Sequence, residues 1–324
     1  MDKNHTVLFG MQNSLKLAEH VSKIVDIPLS TVERTVYADG EVMMVSEPTV
    51  RDKDVFIIAS TSRPVNNNIM ELLLFIDSLK RASGRSINVC LSYYGYARQD
   101  RKASGRQPIG AKLVADLLQT AGATKVICVD LHNPSIQGFF NIPVDDLKGQ
   151  YPLAKALKKL NEKFTVVSPD HGGTVRARKL AELIADTVKI CIIDKRRTGV
   201  NQTEVMGIIG DISNQNAVIV DDIIDTGGTI LKAVDTLKAN GAKKVIVAAT
   251  HGIFTKGFEM FENNPNVDKV IITDSIDNYE LAEKFTKLEI VSLGDFLGKV
   301  VSASLNSGSI SDVYKELKEE ITKL

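Results

Sequence analysis

Ala217-Val-Ile-Val-Asp-Asp-Ile-Ile-Asp-Thr-Gly-Gly-Thr229 opens as an apolar strand, ends that strand in the carboxylates Asp221 and Asp222, and passes through a glycine-rich loop into a helical pattern. The two halves suit different ligand groups. Backbone N–H groups of Thr226, Gly227, Gly228 and Thr229 can point at a phosphate, helped by the hydroxyls and by the positive end of the helix. The two glycines let the backbone approach closely. Asp221 and Asp222 can accept hydrogen bonds from vicinal hydroxyls or hold a divalent cation, with Asp225 beginning the loop itself. Any one of these residues also fits a plain strand-to-helix turn with an Asp cap; the run as a whole favours a phosphate and a diol read together.

Working outward, short Val- and Ile-rich runs recur at 55–59, 87–91, 125–129, 165–168, 190–193, 217–220 and 244–248. Helical spacing fills 69–83, 109–121, 175–185 and 229–240 between many of them, so strands alternate with helices. That is an α/β chain with largely parallel sheets. Residues 54–92 and 216–250 each give strand, loop, helix, glycine-containing turn, strand, which implies two related domains. The boundary falls near 148–151, where Gly149 and Pro152 punctuate the chain after the strand end at Ile142 and Pro143. The expected division is 1–148, 149–300 and a C-terminal segment, 301–324, whose helical tail can pack on either domain.

With 324 residues and 44% apolar composition, two ordinary cores can be buried. Forty basic residues balance forty acidic ones, so no overall positive field exists to hold nucleic acid or an anionic membrane. Cys90, Cys128 and Cys191 lie far apart in apolar runs and fit reduced thiols. No apolar stretch approaches the roughly 20 residues of a membrane span, and the start MDKNHTVLFG lacks a signal-peptide core. A cytoplasmic protein is expected.

Six further motifs occur in order: Tyr37-Ala-Asp-Gly-Glu41, Tyr96-Ala-Arg-Gln-Asp-Arg101, Val129-Asp-Leu-His132, Gln137-Gly-Phe-Phe140, Ser168-Pro-Asp170 with Gly172 and Gly173, and Asp194-Lys-Arg-Arg197. Arg98, Gln99 and Arg101 follow a strand and a turn marked by Gly95, a fork of donors where ligands gather in open α/β sheets. His132 and Asp170 each lie just past a strand. Imidazole is an unusual ligand for a hard ion such as Mg²⁺, so on the residues alone a structural His132 stays open. Lys195, Arg196 and Arg197 precede a polar stretch, 198–203, expected to be a mobile loop.

Together with the 217–229 stretch, these motifs resemble the ribose-phosphate pyrophosphokinases, whose sugar-phosphate loop is shared with phosphoribosyltransferases. The resemblance implies two domains of the type I phosphoribosyltransferase fold and transfer of the β,γ-pyrophosphate of ATP to ribose 5-phosphate. It assigns ATP binding to Arg98, Gln99 and Arg101, and adenine recognition from a neighbouring subunit to Tyr37, Asp39 and Glu41, with Tyr37 where Phe is usual. It assigns ribose 5-phosphate to Asp221, Asp222, Asp225, Thr226, Gly227, Gly228 and Thr229, and Mg²⁺ to His132 and Asp170, with Asp130 orienting the imidazole. Lys195 and Arg197 become the catalytic cations of a closing lid, and dimers assembled into a hexamer are implied. His171, where the family commonly has an apolar residue, receives no role. A non-catalytic regulatory relative would show damaged positions, and these are intact. A simple phosphoribosyltransferase would have no evident use for the first 150 residues.

The resemblance also implies a second, regulatory phosphate site, to which Arg51, Arg106, Ser309, Ser311 and Tyr314 can contribute. Gly105 stands where Ser is expected, Ser104 where a basic residue is, and Pro134 where some members have a Ser. Each change removes a donor or a charge, so ADP is expected to act mainly as a competitor of ATP.

Overall fold

The structure, a computed structural model, describes residues 5–185, 188–199 and 202–324; for 195–199 and 202–206 it describes the backbone alone. The chain forms two compact units. One comprises Met1–Lys148, Ser275–Asp277 and Leu293–Val313; the other comprises Gly149–Asp274, Asn278–Ser292 and Tyr314–Leu324.

In the first unit the chain runs through β1 (Thr6–Gly10), α1 (Leu15–Val25), β2 (Leu29–Ser30), a hairpin of β3 (Val32–Val36) and β4 (Val42–Ser46), β5 (Asp54–Ser60) and α2 (Val65–Arg81). It continues through β6 (Ser86–Tyr93), α3 (Gly110–Ala121), β7 (Lys125–Val129) and β8 (Val144–Leu147). The sheet order is β2-β1-β5-β6-β7-β8, parallel throughout. Every residue of β5 is buried, the signature of a parallel strand covered on both faces. Alternate residues Val55, Ile57, Val89 and Leu91 meet Phe75 of α2 and Leu118 of α3.

The second unit holds α4 (Gln150–Lys159), β9 (Thr165–Ser168), α5 (Thr174–Ile184), β10 (Ile190–Gly199), β11 (Gln202–Ile209), β12 (Ala217–Ile224), α6 (Gly228–Ala239) and β13 (Val245–Gly252). After these come α7 (Glu259–Glu262), β14 (Lys269–Thr273), α8 (Tyr279–Ala282) and β15 (Leu288–Val291). Its sheet order is β11-β10-β9-β12-β13-β14-β15, parallel except for β10 with β11. Period-two alternation sorts β12 and β13 between two cores. Ile219, Val247 and Ala249 face Leu237 and the Phe254, Phe258 and Phe261 cluster, while Val218, Val220 and Ala248 face Leu153 and Leu180.

The last two helices divide between the units. Helix α9 (Gly294–Leu305) packs on α1 within the first unit, and most of α10 (Ile310–Thr322) belongs to the second. Residues 293–300 thus sit with the first unit, whereas the sequence reading put them in the second domain. The cause is local. A Cβ on Gly294 would come within 2.2 Å of His20 Cγ, and one on Gly298 within 2.5 Å of Ile24 Cγ2, so two glycines one turn apart admit α1 at close range.

Three other expectations change. The strand near Ile142 and Pro143 begins after the proline, at Val144. Of the polar 198–203 stretch, expected as a mobile loop, residues 200 and 201 lie outside the described residues, while 198–199 and 202–203 continue two strands, with Arg197 opposite Thr203 and Gly199 opposite Gln202; β-branched Thr198 and Thr203 favour extended backbone despite their polarity. Asp221 and Asp222 lie within β12, because Ile223 and Ile224 go on pairing with His251 and Gly252. Among the described residues no helix is long and apolar enough to cross a membrane.

Candidate active site

Strand order in the seven-stranded sheet reverses between β9 and β12, and open α/β sheets bind ligands at the carboxyl ends of strands flanking such a reversal. The two loops there are residues 169–173 and 225–227. The second ends in Gly227, whose φ of +78° is left-handed and which stands at the cap position of α6. That cap residue has no side chain to offer, and neither has Gly173 at the start of α5. Each of these helix starts is therefore a positive partial charge without a capping side chain of its own.

The two loop glycines differ. A Cβ on Gly227 would strike Phe261 and Met260 at 2.7 and 2.9 Å, whereas around one on Gly228 nothing lies within 4 Å. Gly227 is needed by the fold. Gly228 faces open space at the helix start, so protein packing does not explain it. Exposed Thr226 and Thr229 flank it, and the Thr255 hydroxyl donates to Asp225 Oδ1 at 2.6 Å.

Asp221 and Asp222 are held by Arg176 in the first turn of α5. Its Nη1 donates to Asp221 Oδ1 at 2.9 Å, and its Nη2 lies 3.2 Å from Asp222 Oδ1. The Asp222 backbone N–H donates to Asp221 Oδ1 at 2.9 Å. Burial, and then the neighbouring Asp222 charge, push the Asp221 carboxyl up, while Arg176 works against both. Across the reversal, exposed Asp170 accepts the Gly173 N–H at 3.0 Å, and its carbonyl accepts the Ser168 hydroxyl at 2.6 Å. Beside it, His171 Nε2 lies 2.9 Å from Asp194 Oδ1. Lys195 and Arg197 occupy the ribbon positions opposite Val205 and Thr203; their side chains lie outside the described residues.

In the first unit, the turn after β6 and the turn after β7 leave neighbouring parallel strands and are tied by Asn133 Nδ2 donating to Asp100 Oδ2 at 2.6 Å. Tyr96 sits at φ +67° and Asp130 at +43°, conformations that non-glycine residues adopt at a cost and that concentrate at functional sites. The Tyr96 hydroxyl donates to Asn66 Oδ1 at 2.6 Å, and its carbonyl accepts the Gln99 N–H at 2.9 Å, which fixes the turn. Arg98, Gln99, Arg101 and His132 are all exposed. Asp130 Oδ1 lies 3.9 Å from Lys148 Nζ, and buried Asp146, pushed up by burial, accepts the Leu131 N–H at 3.0 Å. Within the first unit these turns carry arginines and an imidazole; the second unit, by itself, carries carboxylates and two glycine-started helices.

Comparison with known proteins converges on one family. Residues 6–122 match the family model for the N-terminal domain of ribose phosphate pyrophosphokinase, and 151–278 match that for the phosphoribosyl transferase domain. A ribose-phosphate pyrophosphokinase of Mycoplasmopsis pulmonis is 62% identical over 98% of this chain and 99% of its own. The chain belongs to the ribose-phosphate pyrophosphokinase family. The Bacillus subtilis member is 45% identical over 97% of this chain and 98% of its own. The crystal structure of phosphoribosylpyrophosphate synthetase from Mycobacterium smegmatis superposes with a TM-score of 0.82 at 35% identity, over 94% of this chain and all of that one.

Within this pyrophosphokinase-family chain the remaining expected residues are spread over several elements. Tyr37, Asp39 and Glu41 form the exposed tip of the β3–β4 hairpin, where the Glu41 N–H donates to Asp39 Oδ1 at 3.0 Å and Gly40 takes φ +93°. Arg51 and Arg106 are exposed in the first unit. Ser309 and Ser311 are exposed too, and the Ser309 Oγ accepts the Ser311 N–H at 3.1 Å at the start of α10. Tyr314 belongs to the second unit, with its ring centroid 4.9 Å from that of Tyr151.

Sequence reasoning missed Arg176, Thr255 and Asp146. For Arg176 a signal existed: a cation in a first helical turn opposes the helix dipole, so an acidic partner is implied. Thr255 and Asp146 carry no such mark.

Proposed function

We propose that this chain transfers the β,γ-pyrophosphate of ATP to the 1-hydroxyl of ribose 5-phosphate, giving 5-phospho-α-D-ribose 1-diphosphate and AMP. The observation that carries the reading is the start of α6, with no side-chain cap and open space over Gly228, next to the Arg176-braced pair Asp221 and Asp222. The helix start suits the 5-phosphate, and the carboxylates suit the 2- and 3-hydroxyls. Arg98, Gln99 and Arg101 take the nucleotide. Adenine recognition by Tyr37, Asp39 and Glu41 of a neighbouring copy fits a hairpin tip that leaves Val36, Tyr37 and Met43 exposed.

The sugar hydroxyl forms a bond to the β-phosphorus, the bond from that phosphorus to the α,β-bridging oxygen breaks, and the oxygen leaves with AMP while the hydroxyl proton is released. Such transfer needs positioned charge and exclusion of water more than covalent help. Lys195 and Arg197 are assigned the charge that develops around the transferred group.

Mg²⁺ fits the donor chemistry, because this ion takes one or two carboxylates together with substrate phosphates and keeps several waters. Asp170 would hold it with His132. It would supply charge neutralisation of the triphosphate.

The test is incubation with ATP, Mg²⁺ and ribose 5-phosphate, with ¹⁸O in the β-nonbridging positions of ATP. The label is expected in the sugar diphosphate, with unlabelled AMP released. Formation of ADP instead would make the chain an ordinary kinase and end the proposal.

A further inference from the structure

Three strand positions of β10, Ile190, Cys191 and Ile192, pair with β9, so the sheet supports β10 only that far. Beyond Ile192 its pairing partner among the described residues is β11 alone, and an isolated two-stranded ribbon is marginal in water. At that point the register breaks. Asp194 pairs with Gly207, whereas Lys195 pairs with Val205, skipping Met206. A bulge of this kind bends a strand and re-aims the side chains beyond it.

The Asp194 side chain is the last described one before the break, and it meets His171 at 2.9 Å. Packing does not force that meeting, since His171 is 59% and Asp194 43% exposed. The backbone of His171 is itself fixed. Its carbonyl accepts the Thr174 hydroxyl at 2.8 Å at the start of α5, and the preceding Asp170 holds the Gly173 N–H. A rigid loop at the strand-order reversal thus reaches the unsupported ribbon at the one described place where its direction is set.

We infer that His171 is a positioning residue, which through Asp194 fixes where the ribbon presents Lys195. The inference rests on the reading of Lys195 as a catalytic cation. An exposed pair contributes little to stability, whereas displacement of a catalytic group by about 1 Å can cost a hundredfold in rate. The two effects therefore separate experimentally.

His171→Ala is expected to lower kcat by about ten- to a hundredfold with KM values and Tm nearly unchanged, and His171→Gln, whose amide can still donate to Asp194, to recover most of the rate. In a Lys195→Ala background the same His171→Ala change is expected to have no further effect on kcat. Without substrates, amide exchange in 193–199 and 202–209 is expected to quicken in His171→Ala and not in His171→Gln. Unchanged exchange, or rate losses that multiply in the double variant, would overturn the inference. If the wild-type chain makes no AMP, the proposed function falls instead, and the exchange comparison still decides whether His171 tethers the ribbon.

Discussion

Gly227 and Gly228 are adjacent and chemically identical, yet they answer to different demands. Gly227→Ala forces a Cβ into the Phe261 ring at a left-handed φ, so a loss of about 2–5 kcal/mol of stability is expected, visible as a lowered Tm. Gly228→Ala meets open space in the first turn of α6 and is expected to leave Tm unchanged or slightly raised. Its cost should appear in function, as a KM for ribose 5-phosphate raised at least about tenfold, because the methyl group covers the helix start. A Gly228→Ala enzyme with unaltered KM would remove the phosphate from that place. Asp221 adds a pH dependence. Its folded pKa is raised, first by burial and then by Asp222, so the folded state holds a proton that the unfolded chain gives up above about pH 4. Stability is therefore lost as pH climbs from there through the raised value. Asp221→Asn removes that loss and is expected to unfold later than wild type at pH 8, with the gap closing toward pH 4. Thermal melts across that range check it, and a gap that widens on acidification would contradict the assignment.

At the scale of elements, α9 offers a direct test of why it left the second unit. Gly298→Val places branched carbons against Ile24, and overpacking of this kind costs about 1–3 kcal/mol. The variant is expected to destabilise the first unit, read as faster amide exchange in α1 and β1, with β12 and β13 unaffected. The sequence carried the central strands well: 125–129 and 165–168 match β7 and β9, because buried parallel strands are short unbroken apolar runs. Edges were harder to see. The β3–β4 hairpin buries only Met44 of its ten residues, so the apolar residues Val42 to Val45 do not mark a core strand, and β11 opens on polar Gln202, Thr203 and Glu204. The candidate site shows the same split. Its glycines and aspartates were legible because ligand chemistry concentrates them in one stretch, while Arg176 and Thr255 reach Asp221 and Asp225 from sequence positions 45 and 30 residues away.

For the molecule as a whole, two sheets with related plans carry unlike chemistry: the first presents arginines and an imidazole beyond its strand ends, the second carboxylates and helices whose cap residues are glycines. The chain is not cut cleanly between them, since Leu293–Val313 returns to complete the first unit after the second is almost finished. Helix α1 buries Leu17, Ala18, Val21 and Val25, and its glycine-lined neighbour α9 begins 269 residues after α1 ends (294 − 25). On the ribosome, at about 5–20 residues per second, roughly 13–54 seconds separate the two. Through that interval the nascent amino-terminal unit has a helix flank without its cover, whereas the second unit waits only from β15 to α10 for its last helix. Whatever shields an apolar helix face during translation therefore matters more for the half of this protein that is synthesised earliest.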